Sequence, residues 1–318
     1  ACQHLVVAEV IKRTPDVNSY VLIPDKECGT EKLAWFSAGQ YLSIALTIGN
    51  NTITRPYSIS SAPRESLAGK YTLTVKRTEG GFASHYILDH WQTGTKVIAS
   101  APLGVFTYEP LRDAKQIVGL AGGSGITPFY SLAQAIRDGD EDASLTLLYG
   151  SRTKADAVFL AEFKQIAKDC PRFTIVNVLS EETAGDCESG FITAELIKKY
   201  APQGGDYSLF ICGPKAMYHF VDAEVAKLGL RKKFIRHELF GAYQNPVRDA
   251  AYPGAPGDAF ELVVRICGEE RRVPCRAEET LLVSMERAGI AAPADCRSGV
   301  CGYCHSQLIK GDVYVPAT

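Results

Sequence analysis

The sequence has 318 residues, 46% of them hydrophobic and 22% charged, with a formal net charge of -2 at pH 7. That length exceeds one ordinary domain of ~100 to 200 residues, the apolar share is enough to fill more than one core, and the near-zero charge gives no electrostatic footprint for nucleic acid. No uninterrupted apolar run approaches the ~18 residues of a membrane span and ACQHLVVAEVIKRTPD lacks the layout of a signal peptide, so the protein is expected to be cytoplasmic, with no membrane insertion.

Residues 1–111 alternate apolar and polar in period two, through HLVVAEVIKR, SYVLIP, QYLSIALTI, YTLTVKR and TKVIASAP. Short strands cut by turn signals predict an antiparallel β-barrel or sandwich. From Lys115 the pattern becomes strand and helix in alternation, from QIVGLAG and FYSLAQAIRD to SLFICG and AMYHFVDAEVAKLG. That is the grammar of an α/β domain with a parallel sheet, placed at 112–240. The stretch 241–258, rich in Pro, Gly and Ala, reads as a linker. Beyond it, FELVVRICGEERRVPC predicts a hairpin turning at GEE, and ETLLVSMERAGI a short helix, opening a third domain at 259–318.

Six stretches carry chemistry. In RPYSISS, Arg55 can neutralise a phosphate, Tyr57 can lay an aromatic face on a flat heterocycle, and Ser58 can hydrogen-bond its polar edge. In EGGFASHYILDH, Gly80 and Gly81 allow close backbone approach, and Ser84 with the amides of a helix start offers an anion site suited to a pyrophosphate. In IVGLAGGSGITPFYSL a strand meets a glycine-rich loop and a helix opened by Thr127 and Pro128, a geometry that aims backbone N–H groups at phosphates. In LLYGSRT, Ser151 and Arg152 stand where an acidic residue would hold the 2′-hydroxyl of NAD, and they suit a 2′-phosphate instead. In FICGPKAMY, Cys212 sits at the carboxyl edge of the sheet, where ligands bind in open parallel folds. Each of these five, taken singly, also fits an ordinary strand, a capped turn or a buried structural cysteine.

The sixth is more specific. Of ten cysteines, five lie between Cys267 and Cys304, and Cys296, Cys301 and Cys304 have the C-x4-C-x2-C spacing that plant-type ferredoxins use for a 2Fe-2S cluster. Coincidental cysteines or a zinc site fit less well, since zinc favours paired C-x2-C groups, and a lone His305 does not make a Rieske site. Small residues at Ser298, Gly299 and Gly302 let such a loop wrap a cluster closely.

Taken in order, RPYSISS, GGFAS, GGSGITP, YGSR, CGP and CRSGVCGYC resemble the ferredoxin-NADP reductase superfamily, in the subgroup of oxygenase-type reductases with a C-terminal plant-type 2Fe-2S ferredoxin domain. The resemblance covers nearly the whole chain. It implies a multidomain fold: a flavin-binding antiparallel β-barrel, a nucleotide-binding α/β domain and a β-grasp ferredoxin domain. By the same resemblance Arg55, Pro56, Tyr57 and Ser58 bind the flavin, and Gly80, Gly81, Phe82, Ala83 and Ser84 its phosphates. Gly122, Gly123, Gly125, Thr127 and Pro128 take the phosphates of NADPH or NADH, Ser151 and Arg152 its 2′ side, and Cys212, Gly213 and Pro214 the nicotinamide end. Cys212, Tyr57 and Ser58 are thus the candidate catalytic residues, at the reacting rings. Members use FAD or FMN, and GGFASHYI is more similar to the FAD type. FSAGQYL also matches the family's barrel, in a structural role.

The implied reaction converts hydride into single electrons. A nicotinamide gives up two electrons together, a flavin releases them singly, and an iron-sulfur cluster carries one at a time to a protein acceptor such as an oxygenase or demethylase. Two other functions fit the same motifs: a non-catalytic electron-transfer subunit of a larger complex, and a flavin reductase with a vestigial ferredoxin domain. A cluster needs a fourth ligand, which the family places in a strand downstream of the run. Cys267 and Cys275 lie upstream of it, so the expectation is that the closing strand and its cysteine belong to a longer chain.

Overall fold

The structure is a computed structural model that describes residues 2–49, 51–239, 245–299 and 301–315. The chain forms two compact units, Ala1–Ser43 with Tyr57–Leu239, and Ile44–Pro56 with Phe240–Thr318.

The first sheet contains β1 (Cys2–Thr14), β2 (Val17–Pro24), β3 (Tyr41–Ile48), β4 (Asn51–Ser58), β5 (Tyr71–Lys76) and β6 (Lys96–Ser100), in the order β4-β3-β6-β1-β2-β5. The paired strands β1–β2, β1–β6 and β2–β5 run antiparallel. Period-two alternation builds β1, where Leu5 and Val7 are fully buried and their neighbours less so; in β2 Tyr20 and Leu22 are buried on the same pattern, with Ser19 also buried beside Tyr20. Helix α1 (Phe82–His90) connects β5 to β6. The second sheet contains β7 (Gln116–Gly122), β8 (Ser144–Ser151), β9 (Phe173–Leu179), β10 (Glu188–Ser189), β11 (Ser208–Cys212) and β12 (Ile235–Glu238). Its order is β10-β9-β8-β7-β11-β12 and its pairs are parallel. Between its strands lie α2 (Thr127–Asp138), α3 (Leu160–Asp169), α4 (Ala194–Tyr200) and α5 (Lys215–Ala226). β11 is buried at every position, as a central parallel strand should be.

The first compact unit holds the second sheet and most of the first, while Ile44–Pro56 of β3 and β4 goes with the second unit. Within the first unit polar contacts stitch the two sheets together: Ser131 Oγ donates to Ser61 O at 2.7 Å, Gln134 Nε2 to Ser60 O at 2.9 Å, and Arg64 pairs with Asp140 at 2.6 Å. Arg236, buried, pairs with Asp113 at 2.9 Å and donates to Val105 O. Such side-chain-to-backbone links are invisible to a reading of periodicity.

In the second unit, β13 (Ala259–Ile266) and β14 (Glu269–Arg276) form an antiparallel hairpin. Its turn is Cys267–Gly268, not the expected GEE. Both turn residues have positive φ, 51° and 84°, the signature of a two-residue turn whose twist matches the strands. Helix α6 (Leu281–Arg287) follows as expected, capped by Thr280 Oγ1, which accepts from Val283 N at 3.3 Å. Cys275 lies in the small core with Val273 and Ile290. The first five residues of the expected linker at 241–258 include four outside the described set, and Pro246–Arg248 forms a single short helical turn.

Candidate cofactor-binding site

The parallel sheet reverses its winding at β7, which has β8 on one side and β11 on the other. At such a switch point the loops leaving the strands' carboxyl ends part and open a crevice for ligand. β7 runs directly into Gly122–Gly125, and α2 starts at Thr127 with Pro128 in its first turn. Thr127 Oγ1 donates to Ser124 O at 3.1 Å and closes the loop. A Cβ on Gly125 would lie 2.2 Å from Cys212 O and 2.6 Å from Gly213 N, so the loops after β7 and β11 meet backbone to backbone. Only glycine permits that approach. The structure thus brings together Gly122, Gly125, Cys212 and Gly213, named from separate motifs.

The loop after β11 has a clamp that the motifs did not reveal. The Tyr218 hydroxyl accepts from Gly213 N at 3.2 Å and donates to Glu238 O at 2.5 Å, tying the Cys-Gly-Pro turn to the end of β12. Burial pushes the Cys212 thiol well up, and the Glu238 carboxylate adds to the rise. Cys212 is therefore a neutral, small, polarizable surface at the sheet edge rather than a thiolate nucleophile. Pro214 at the head of α5 is exposed.

On the next strand the Ser151 hydroxyl is buried and finds no hydrogen-bond partner among the described residues. Arg152 is exposed and pairs with Asp156 at 3.3 Å. A buried hydroxyl beside an exposed guanidinium suits a polar ligand edge.

In the antiparallel sheet, Tyr57 is half-buried and Ser58 buried. The glycine turn before α1 is tight: a Cβ on Gly81 would meet Ser84 Oγ at 2.6 Å and Thr78 O at 2.8 Å. Ser84 Oγ donates to Gly81 O and accepts from Thr78 N, each at 3.2 Å. The hydroxyl expected at an anion therefore holds the turn, and the donors that face outward are the first-turn amides of α1. Ala83 is buried and Phe82 is 56% exposed, an apolar face at the helix start.

In the second unit, Arg55 Nη1 donates to Thr54 O at 2.8 Å and pairs with Glu286 Oε1 at 3.3 Å. Cys296 is buried, Cys301 and Cys304 exposed. The Cys301 amide donates to Cys296 Sγ at 3.5 Å. Burial pushes the Cys296 thiol up, but the Ser298 side chain and the Cys301 amide outweigh it and bring the thiol down to about 7. Amides aimed at a sulfur that ionises readily are what a cluster ligand requires, so the donor chemistry fits a 2Fe-2S cluster. Among the described residues no three His, Cys, Asp or Glu side chains stand together as a ligand group. Cys296 and Cys301 are together; Cys304 is not with them. Cys275 donates to Val273 O from the core and Cys267 lies in the hairpin turn, so both serve the hairpin. Glu286 and Arg297, which sequence reasoning missed, form the buried ion pair beside this loop.

The glycine loop at the switch point, the glycine turn at α1 and the thiol loop have the chemistry that a flavin- and dinucleotide-dependent oxidoreductase with an iron-sulfur domain uses. The chain matches the oxidoreductase FAD-binding domain family over residues 4–108, the oxidoreductase NAD-binding domain family over 120–223, and the 2Fe-2S iron-sulfur cluster binding domain family over 264–318. It is 30% identical over 320 residues to the ferredoxin reductase component of 3-ketosteroid-9-alpha-monooxygenase from Rhodococcus rhodochrous, covering 97% of this chain and 86% of that one. It is 26% identical over 318 residues to the reductase component of glycine betaine monooxygenase from Chromohalobacter salexigens, covering 96% of this chain and 84% of that one. The solved structure of phthalate dioxygenase reductase shares the fold with a TM-score of 0.72 at 23% identity, over 96% of this chain and 85% of that one.

The chain belongs to the ferredoxin-NADP reductase superfamily, among the oxygenase-type reductases that carry a C-terminal 2Fe-2S domain. It is an NAD(P)H-dependent oxidoreductase whose cofactors are FAD, NAD(P)H and a 2Fe-2S cluster, and it passes electrons from NAD(P)H through the flavin and the cluster to a redox partner. Among the described residues no helix is long and apolar enough to cross a membrane.

Proposed function

We propose that this protein is the reductase component of an oxygenase system. The observation that supports this best is the 30% identity over 97% of the chain to the ferredoxin reductase component of a monooxygenase, and the backbone contact of Gly125 with Cys212 at the sheet's switch point suits a nicotinamide dinucleotide there. In this reading Gly122, Gly123, Gly125, Thr127 and Pro128 hold the dinucleotide phosphates through backbone amides and the helix start. Cys212, Gly213 and Pro214 pack against the nicotinamide. Tyr57 and Ser58 contact the flavin ring, Arg55 with Pro56 flanks them, and the amides of Gly80 to Ser84 meet the flavin phosphates. Cys296, Cys301 and Cys304 hold the cluster. Bound together, the cofactors supply hydride acceptance and one-electron release; the protein's side chains orient, exclude water and shield charge.

Ser151 and Arg152 take the 2′ side, with Arg152 turning from Asp156 to a 2′-phosphate. Steady-state ferricyanide reduction tests this. Arg152→Ala is expected to lower kcat/KM for NADPH by about tenfold, the value of one charge-assisted contact, and to leave NADH unchanged. Equal loss with both nucleotides would remove Arg152 from that role. For the acceptor, named relatives serve a 3-ketosteroid-9-alpha-monooxygenase and a glycine betaine monooxygenase. NAD(P)H-dependent oxygen uptake on adding a terminal oxygenase component is the expected result; cytochrome c reduction with no coupling to any oxygenase contradicts it.

A further inference from the structure

Glu286 of α6 holds two arginines of different origin. Arg297 engages it with both nitrogens, Nη1 to Oε1 at 2.5 Å and Nη2 to Oε2 at 2.9 Å, and Arg55 Nη1 reaches the same Oε1 at 3.3 Å. The Arg297 side chain is 1% exposed and that of Glu286 9%, so this is a desolvated contact, while Arg55 is 23% exposed. Arg297 follows Cys296 directly and holds φ +61°, a left-handed backbone that a non-glycine residue keeps only when its surroundings fix it. A second link joins the same two stretches: Thr54 Oγ1 donates to Ala294 O at 2.6 Å. Residues 54–55 of β4 are thereby fastened to residues 294–297.

We propose that Glu286 is a positioning residue for the one-electron step. It couples Arg55, on the strand that continues into Tyr57 and Ser58, to Arg297 beside the first cysteine of the run. The inference rests on the flavin and cluster assignments made above. Per NAD(P)H oxidised to NAD(P)+, two electrons leave as hydride, pass one at a time from flavin to cluster and on to two equivalents of one-electron acceptor, and one proton is released to solvent. Hydride uptake is assigned above to the loops of the parallel sheet in the first unit, whereas Glu286 belongs to α6 of the second. Transfer to the cluster needs the β4 strand and the cysteine loop held in register. Without the carboxylate the buried Arg297 guanidinium loses its bidentate partner and Arg55 loses its tie to α6, which loosens the two stretches from each other.

The test uses holoenzyme carrying FAD and cluster, with NAD(P)H in anaerobic stopped flow. Glu286→Gln is expected to leave flavin bleaching within about twofold of wild type and to slow cluster reduction, followed by visible circular dichroism, by roughly tenfold, as small misplacements of reacting groups do. Glu286→Asp, which keeps the charge on a shorter arm, should recover part of the loss. A readout free of turnover is the thermal unfolding of the four proteins of an Arg55→Gln and Glu286→Gln cycle, where the two losses are expected to be smaller together than their sum. Unchanged cluster reduction in Glu286→Gln, or strict additivity in the cycle, overturns the inference alone. Full flavin affinity in Arg55→Gln overturns the flavin reading on which it rests, and the inference with it.

Discussion

The edge of the parallel sheet and the cysteine loop are both built from glycines and cysteines, yet by opposite means. At the sheet edge, backbone meets backbone: Gly125 lies against Cys212 O, and the Tyr218 hydroxyl clamps Gly213. In the cysteine loop a Cβ on Gly299 or Gly302 would meet open space, and the contacts present are the buried Arg297–Glu286 pair and one amide aimed at Cys296. The first region is fixed by close backbone packing; the second has two of its three thiols together. The sheet edge is therefore sensitive to volume, and the cysteine loop to charge.

The largest expected effect follows from volume. Gly125→Ala puts a methyl group into a carbonyl that cannot move without its strand, at a cost of at least about 3 kcal/mol, and should abolish NAD(P)H-driven flavin reduction. Thermal unfolding and a nucleotide titration of flavin absorbance check it; a variant with wild-type turnover would break the comparison. Next comes charge. Arg297→Ala leaves Glu286 buried with only Arg55, and removing one partner of such a pair costs about 3 kcal/mol. Limited proteolysis should find the loss confined to the C-terminal unit, with flavin reduction retained. Tyr218→Phe is smaller, about 1 kcal/mol for hydrogen bonds lost at the Cys-Gly-Pro turn, and should raise KM for nucleotide more than it lowers kcat.

The smallest effect is a pH dependence in the first unit that leaves both sites untouched. Burial raises the Glu141 carboxyl to about 7 from 4.5, with Asp140 and Glu109 adding repulsion. A carboxyl whose folded value is raised contributes stability that is fully present below pH 4.5 and lost as pH rises to about 7. After solvent screening of a half-exposed group, Glu141→Gln should stabilise by about 1 kcal/mol at pH 8 relative to wild type, and by nothing at pH 4. Denaturant midpoints at the two pH values measure it.

Local pattern made much of this legible. Alternation marked the strands of the first sheet, the strand-to-helix grammar marked the second, and the glycine spacing placed Gly122–Gly125 at a sheet edge. The hairpin turn was misplaced because GEE and Cys267–Gly268 overlap, and only positive φ at both residues separates them. That the Ser84 hydroxyl also braces its own turn leaves no trace in composition. Residues Ile44–Pro56 grouped with the C-terminal unit, and the Arg55–Glu286 contact across 231 positions, lie beyond any window of periodicity. Arg297 had a signal, a large cation between two small-residue stretches beside Cys296, but its partner is fixed only by the fold.

One measurement bears most directly on the account: anaerobic stopped-flow mixing of the FAD- and cluster-loaded protein with NADPH and with NADH, reading flavin and cluster absorbance separately. The expected result is flavin bleaching followed by cluster reduction with at least one nucleotide. Flavin that stays oxidised with both, yet bleaches with dithionite, would contradict the crevice built by Gly125 and Cys212 as the nucleotide site.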